Sequence, residues 1–168
     1  LLGPYGIEPT ETIGLSRTPG YSIFLSVVYE LLGRNYFDVQ LVQNGLNSFA
    51  PALIFLIAGR VVSWRVGVTA GLIAAFSHHL SHFSNFILPD TLCALPVLGA
   101  IYCLALASNN RRTYSLHCLA GALIGMSTWV RPQSMLLGVF AAGLLLLISR
   151  DRPSALKRGA LLAVMSAL

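Results

Sequence analysis

The stretch LPDTLCALPVLGAIYCLALA, residues 88–107, decides the class of fold. From residue 91 to residue 107 it carries no charged side chain, and its length approaches the ~20 residues with which a helix crosses a bilayer. Another long apolar run, residues 66–87, precedes it, and Asp90 stands between the two. The stretch therefore predicts a transmembrane helix with a carboxylate at one end.

The whole chain has the same apolar character. Of its 168 residues, 55% are hydrophobic and 10% are charged, and the mean hydropathy is +0.72. Soluble domains carry about 25% charged residues, so this chain cannot cover a water-exposed surface with polar groups. We predict an all-α fold, a polytopic transmembrane helical bundle. The net charge of +5 then marks loops and orientation, and it does not indicate a nucleic-acid partner.

Hydropathy divides the chain into segments of one transmembrane domain. Residues 1–20, rich in Gly and Pro, predict an outer loop, and residues 21–32 predict an interfacial helix too short to span. Because the chain starts without Met and stops inside an apolar run, we expect it to be truncated at both ends. Spans are predicted at about 39–62, 66–87, 91–107, 116–130 and 133–149, with the start of a further span at 159–168.

Basic residues predict the orientation of these spans. Most of them fall on alternate connections, which by the positive-inside rule are cytoplasmic. The opposite, outer side then collects Arg17, Asp90 and the Val130–Gln133 corner with Arg131. One span also carries a polar stripe, Gln40, Gln43, Asn44 and Asn47, at helical spacing, and such a stripe must face protein or water rather than lipid.

Each outer charge has two interpretations. Asp90 is either a helix N-cap or a carboxylate that faces a polar cavity, where it binds a hydroxyl or acts as a base, and the two are compatible. Arg131 either anchors the helix end at the interface or contacts a phosphate, for which a guanidinium is well shaped. Arg17 is either a solvated loop charge or part of the same site.

Other candidate features favour structural roles. His78 and His82 lie one helical turn apart, but no Cys, Asp or Glu flanks them, so polar helix packing is favoured over a metal site. Two G-x-x-x-G matches, Gly67 with Gly71 and Gly121 with Gly125, predict close helix packing. The cysteines have neither metal-ligand nor redox spacing and are read as small buried side chains: Cys93, Cys103 and Cys118.

Three ordered motifs carry a resemblance to a known family. They are SRTPGYSIFLSVVYELLG followed by a Gln-bearing span, the acid that opens LPDTLCALPVLGAIYCLALAS, and LAGALIGMSTWVRPQSMLL. Together they resemble the lipid-linked-sugar-dependent C-type glycosyltransferases, of the protein O-mannosyltransferase and aminoarabinose-transferase kind. The likeness covers nearly the whole chain in order and spacing.

The resemblance implies a hexosyl or pentosyl transferase of the cell envelope. The apolar spans predict an integral, multi-pass membrane protein, and the short loops favour a bacterial inner membrane. It would move a sugar with inversion from a polyprenyl-phosphate donor to a hydroxyl of a lipid, glycan or protein acceptor on the outer or luminal face. Asp90 corresponds to a supporting acid. Substrate-binding positions correspond to Arg17, Tyr21, Gln43 and Arg131.

The sequence also departs from that family. Its principal catalytic acid follows a first span that is not present here, so we expect the printed chain to be inactive alone. Arg17-Thr18 stands where some members have a Glu that aids a metal, so no metal ligand is assigned and a divalent metal stays open as a cofactor. The alternatives are a transporter or flippase, which needs polar groups at mid-membrane depth, and a non-catalytic scaffold, in which Asp90 and Arg131 face apart.

Overall fold

The computed structural model describes residues 19–77, 89–107, 113–148 and 152–167, and all regular structure in these ranges is helical. The predicted all-α class is therefore confirmed. A short 3₁₀ turn, Pro132–Ser134, follows the sixth helix. The helices are α1 (Pro19–Leu32), α2 (Tyr36–Asn47), α3 (Ala50–Val61), α4 (Trp64–Ala75), α5 (Pro89–Ala107), α6 (Thr113–Val130), α7 (Met135–Ile148) and α8 (Arg152–Ala167).

Two stretches of the described chain are long and apolar enough to cross a membrane. One is Tyr36–Val61, 26 residues that comprise α2 and α3, and the other is α5, 19 residues. Between α2 and α3 the helix is interrupted at Ser48 and Phe49. Pro51 explains the interruption, because it has no N–H to donate to the carbonyl four residues earlier, at Asn47, and it suits the first turn of α3.

The ends of the other helices have local causes. Gly33, at φ 96°, stops α1 in the left-handed region that a side chain would disfavour, as the sequence predicts. The side chain of Ser63 caps α4 by accepting a hydrogen bond from the Val66 N–H. The helix α8 begins at Arg152, seven residues before the start of the span predicted at 159–168. Pro153 suits the first turn of a helix, and the neighbouring polar residues in the sequence kept this turn out of the hydropathy prediction.

Glycines set the closest helix contacts. A Cβ at Gly121 would lie 2.7 Å from the Met165 Cβ of α8, and one at Gly67 would lie 2.8 Å from the Gly59 Cα of α3. These contacts confirm the packing interpretation of both G-x-x-x-G matches. The core between α5, α6 and α8 is built from small or aliphatic buried side chains: Ala100, Cys103, Ala120, Ile124 and Leu162.

The surface of the described helices is apolar. Large hydrophobic side chains point away from the protein on several helices, and polar side chains do not interleave with them enough to suit water. This is the surface of a membrane protein, with lipid as its outer solvent. The most exposed of these side chains are Leu31, Ile73, Phe76, Leu136 and Leu147.

Candidate functional site

An ion pair joins two of the residues that the sequence singles out. The Arg131 guanidinium donates through Nη1 to the Asp90 carboxylate, so the corner after α6 meets the first turn of α5. Both side chains remain open to solvent, at 42% exposure for Arg131 and 47% for Asp90. The pair is therefore accessible to a ligand from outside the bundle.

Asp90 is not the N-cap of its helix. The sequence offers that interpretation, but α5 already includes Pro89, so Asp90 lies within the first helical turn. Proline suits the first position of a helix because its missing N–H would have no helical partner there. The carboxylate still lies at the positive end of the helix dipole, and its side-chain partner is Arg131.

The backbone of Arg131 is shaped by the proline that follows. Arg131 is extended, at φ −146° and ψ 113°, because a residue before proline avoids helical backbone. Its N–H donates to the Ser127 carbonyl at 2.8 Å, and its own carbonyl accepts from the Ser134 N–H at 3.1 Å. Here α6 ends and the chain turns, with the guanidinium at the apex.

A buried hydrogen bond lies directly behind the acid. The Gln43 amide of α2 donates through Nε2 to the Thr91 hydroxyl, next to Asp90 in the chain. Gln43 is 1% exposed and Thr91 is buried, so Gln43 reaches the site through Thr91 rather than from its surface. The rest of the polar stripe, Gln40, Asn44 and Asn47, is half-buried, in agreement with the prediction that the stripe faces protein or water rather than lipid.

Tyr21 lies on α1, which packs against α6. A Cβ at Gly20 would lie 2.5 Å from the Trp129 carbonyl oxygen, so the Pro-Gly-Tyr segment requires a glycine for its close approach to the last turn of α6. The Tyr21 ring stacks on Phe24, with 6.1 Å between the ring centroids. Burial, followed by the neighbouring Tyr29 and Tyr36, raises the pKa of Tyr21 to about 12, so its phenol is neutral at physiological pH.

An apolar groove runs from this corner between α1, α5, α6 and α8. Its volume is about 590 Å³. Val130, which lines it, directly precedes Arg131 in the chain, so the groove reaches the corner that carries the ion pair. An amphiphile with an apolar chain and an anionic head suits such a combination. The groove is lined by Gly20, Ile23, Phe24, Leu92, Ala122, Gly125, Met126, Trp129, Val130 and Met165.

Several sequence predictions fall outside the described ranges. Arg17 and the three histidines of HHLSH are among them, so the structure says nothing of their positions. Within the described ranges, no group of three or more His, Cys, Asp or Glu side chains could hold a metal ion. No chemical step is therefore assigned to a metal at the described part of the corner.

Sequence reasoning missed three polar residues at the corner, Thr91, Ser127 and Ser134. The Ser127 hydroxyl donates to the Ser134 hydroxyl at 2.9 Å, and both serines are buried. Their position close to Asp90 and Arg131 in the chain was the one available signal. It was weak, because serine and threonine are common in such helices.

Comparison with known proteins adds one match. A family model described as dolichyl-phosphate-mannose-protein mannosyltransferase matches residues 16–168. No curated protein and no solved structure matches the chain. The family match covers every described helix, including α1, both sides of the Asp90–Arg131 pair, and the groove.

Proposed function

This chain belongs to the dolichyl-phosphate-mannose-protein mannosyltransferase family and is thus a membrane glycosyltransferase of the mannosyltransferase type, and we propose that it uses a polyprenyl-phosphate-linked hexose or pentose. In the proposed reaction the sugar passes to a hydroxyl of a lipid, glycan or protein acceptor. We place the reaction on the outer or luminal face of a multi-pass membrane domain, in a bacterial inner membrane. The proposed spans are those predicted from the sequence.

One observation carries the proposal: a solvent-open carboxylate–guanidinium pair lies beside an apolar groove of about 590 Å³. A polyprenyl chain needs an apolar channel, its phosphate needs a permanent cation, and an acceptor hydroxyl needs a nearby carboxylate. We propose that these three requirements are met at this corner, where Val130 lines the groove and the next residue, Arg131, pairs with Asp90.

The proposed chemistry is a single displacement. The acceptor oxygen forms a bond to the anomeric carbon, the bond from that carbon to the phosphate oxygen breaks, and the configuration inverts. The acceptor proton passes to a carboxylate base, and the polyprenyl phosphate leaves with the bonding electrons. Arg131 stabilises the negative charge that develops on the leaving phosphate, and enzymes commonly gain more of their rate from such charge stabilisation than from any other single effect.

Asp90 and Arg131 can serve together without excluding a ligand. A guanidinium has five N–H donors, and within the described part of the chain only the Nη1 contact to Asp90 occupies it. Asp90 orients Arg131, and its remaining acceptor capacity is available to a sugar or acceptor hydroxyl. We therefore propose Asp90 as the supporting acid and Arg131 as the phosphate contact.

The other proposed binding residues act from the sides of this corner. Gln43 supports the Asp90 turn through Thr91, and Tyr21 lies next to Gly20, which lines the groove. Arg17 is proposed as a second cation for the donor, because it precedes the Pro-Gly-Tyr segment by two positions in the chain.

The direct test measures transfer of a labelled sugar from a lipid-linked donor by the full-length protein in membranes. We expect Asp90→Asn and Arg131→Ala to abolish transfer at unchanged membrane levels. Asp38→Asn and Arg34→Ala are the matched controls, because Asp38 also lies in the first turn of a helix and Arg34 is exposed. Wild-type turnover in both site variants would remove these residues from the mechanism.

A further inference from the structure

A closed set of hydrogen bonds surrounds the Arg131 backbone. The Ser127 carbonyl accepts from the Arg131 N–H at 2.8 Å, and the Ser134 N–H donates to the Arg131 carbonyl at 3.1 Å. The Ser127 hydroxyl then donates to the Ser134 hydroxyl at 2.9 Å, which joins the last turn of α6 to the 3₁₀ turn. We call the Ser127–Ser134 bond the serine clasp.

The same Ser127 carbonyl is also bound from α5. The Cys93 thiol donates to it at 3.6 Å, and Cys93 lies three positions after Asp90. One carbonyl oxygen therefore receives contacts from the helix that carries Asp90 and from the backbone of Arg131. The relative position of the two charged residues depends on this atom and on the clasp that holds its residue.

Burial makes the clasp rigid. Ser127 is 0% exposed and Ser134 is buried, whereas the ion pair above them is open to solvent. Buried hydroxyls away from water keep the partners that the protein supplies, because no solvent replaces them. The Arg131 and Asp90 side chains can thus adjust to a ligand, while the backbone that carries Arg131 is held in place.

Pro132 explains why the corner after α6 needs a stabilising hydrogen bond between side chains. Proline cannot donate a backbone hydrogen bond, and it holds Arg131 in extended backbone, so the helical ladder does not continue through the corner. A hydrogen bond between two side chains on either side of the corner takes the place of the missing backbone hydrogen bond. The Ser127–Ser134 pair spans this gap.

We infer that Ser127 and Ser134 are positioning residues for the transfer reaction, which aim the Arg131 guanidinium at Asp90, at the corner that the apolar groove reaches. This inference rests on the proposed function. Neither serine touches substrate. They act through Arg131, and their removal lowers kcat more than donor affinity because Arg131 acts on charge that develops in the transition state.

The test compares Ser134→Thr with Ser134→Val in the full-length protein. The two replacements have nearly the same shape and differ in the hydroxyl, so a purely steric role moves both equally. We expect Ser134→Thr to keep most of its transfer and Ser134→Val to lose about tenfold in kcat, as a small misplacement of a catalytic group does. The donor KM stays within about twofold.

Ser127→Ala and Ser166→Ala form a second comparison. Ser166 is also a buried serine, but its hydroxyl donates within its own helix, to the Ala163 carbonyl at 2.9 Å. We expect Ser127→Ala to lower kcat about as much as Ser134→Val, while Ser166→Ala leaves it unchanged. Hydrogen exchange at the Arg131 and Ser134 amides reports the clasp without activity, and it should accelerate in Ser134→Val and not in Ser134→Thr.

The outcomes separate this inference from the proposed function. If Arg131→Ala abolishes transfer while Ser134→Val and Ser134→Thr have equal kcat, the serines do not position Arg131 and the proposed function stands. If Arg131→Ala turns over like the wild type, Arg131 is not the phosphate contact and the inference about the serines is overturned with it, whereas the transfer activity itself stands. Loss in Ser134→Val with retention in Ser134→Thr, matched by faster exchange at the corner, supports the inference.

Discussion

Gln43 and Thr91, 48 positions apart, share a buried hydrogen bond that joins α2 to the turn that carries Asp90. The bond reaches the site from behind, since neither side chain is open to solvent. It links the polar stripe of one predicted span to the acid at the start of another.

Replacement of Thr91 by Val should destabilise the protein, because the Gln43 amide loses its hydroxyl partner in a buried place. Removing one partner of a buried hydrogen bond costs about 1–3 kcal/mol. Thr91→Ser, which keeps the hydroxyl, should stay close to the wild type. Thermal unfolding in detergent measures the difference, and equal midpoints for Val and Ser would show that the bond contributes no stability.

Arg131→Lys should retain part of the transfer that Arg131→Ala loses. Lysine keeps the charge, but it cannot reach a carboxylate and a phosphate with a planar fork. We expect a kcat roughly ten- to a hundredfold below the wild type, between full activity and none. Steady-state transfer at saturating donor measures it. Full activity in the lysine variant would mean that charge alone suffices.

Gly20→Ala should disturb the contact of α1 with α6. The added Cβ would lie 2.5 Å from the Trp129 carbonyl oxygen, which is backbone and cannot rotate away. We expect lower stability, by about 1–3 kcal/mol for an overpacked contact, and lower transfer. Gly45→Ala is the matched control, since nothing in the described chain lies within 4 Å of its added Cβ. Equal stability of the two variants would contradict the contact.

Filling the groove should weaken donor binding. Ala122→Phe places a ring among the groove-lining side chains, whereas Ala160→Phe adds the same bulk on an exposed face of α8. We expect the first to raise the donor KM about tenfold or more, as loss of an apolar contact surface of several methylenes does, and the second to leave it unchanged. The comparison uses donors of long and short polyprenyl chains, and equal KM values for both variants would place the lipid elsewhere.

Tyr21 predicts a loss of stability at high pH. Its pKa is raised from 10.0 to about 12, so between these values the unfolded chain releases the proton while the folded protein keeps it. The contribution of the neutral Tyr21 phenol to the free energy of unfolding is complete below about pH 10, and it falls as the pH rises toward 12. The thermal unfolding midpoint should therefore fall less between about pH 9 and pH 11 in Tyr21→Phe than in the wild type. An equal fall in both proteins would contradict the assignment of the raised pKa to Tyr21.

Sequence reasoning succeeded where composition alone decides the outcome. The uncharged run from residue 91 predicted the helix that is observed as Pro89–Ala107, and the G-x-x-x-G spacing predicted contacts that Gly67 and Gly121 make. The alternation of basic loops placed Asp90 and Arg131 on one side of the bundle, and they form an ion pair. Each of these depends on a pattern that can be read along the chain without knowledge of how its segments pack.

What the sequence did not predict depends on three-dimensional pairing. Nothing local marks Ser127 and Ser134 as partners, because their bond exists only once Pro132 has turned the chain. The break at Ser48 and Phe49 was missed, since hydropathy reads through Pro51 as one apolar run. The N-cap interpretation of Asp90 was wrong because it gave the preceding proline no place in the helix.

The solvent-open ion pair beside an oily groove has a consequence for how substrates meet. The Arg131 side chain is exposed, and the apolar groove reaches the corner that carries it. A molecule dissolved in the bilayer and one dissolved in water can therefore reach the same guanidinium from opposite directions. Neither needs to leave its own medium. A water-soluble reagent specific for arginine would then modify Arg131 from one side of a sealed vesicle only. That side would show the orientation of the protein in the membrane.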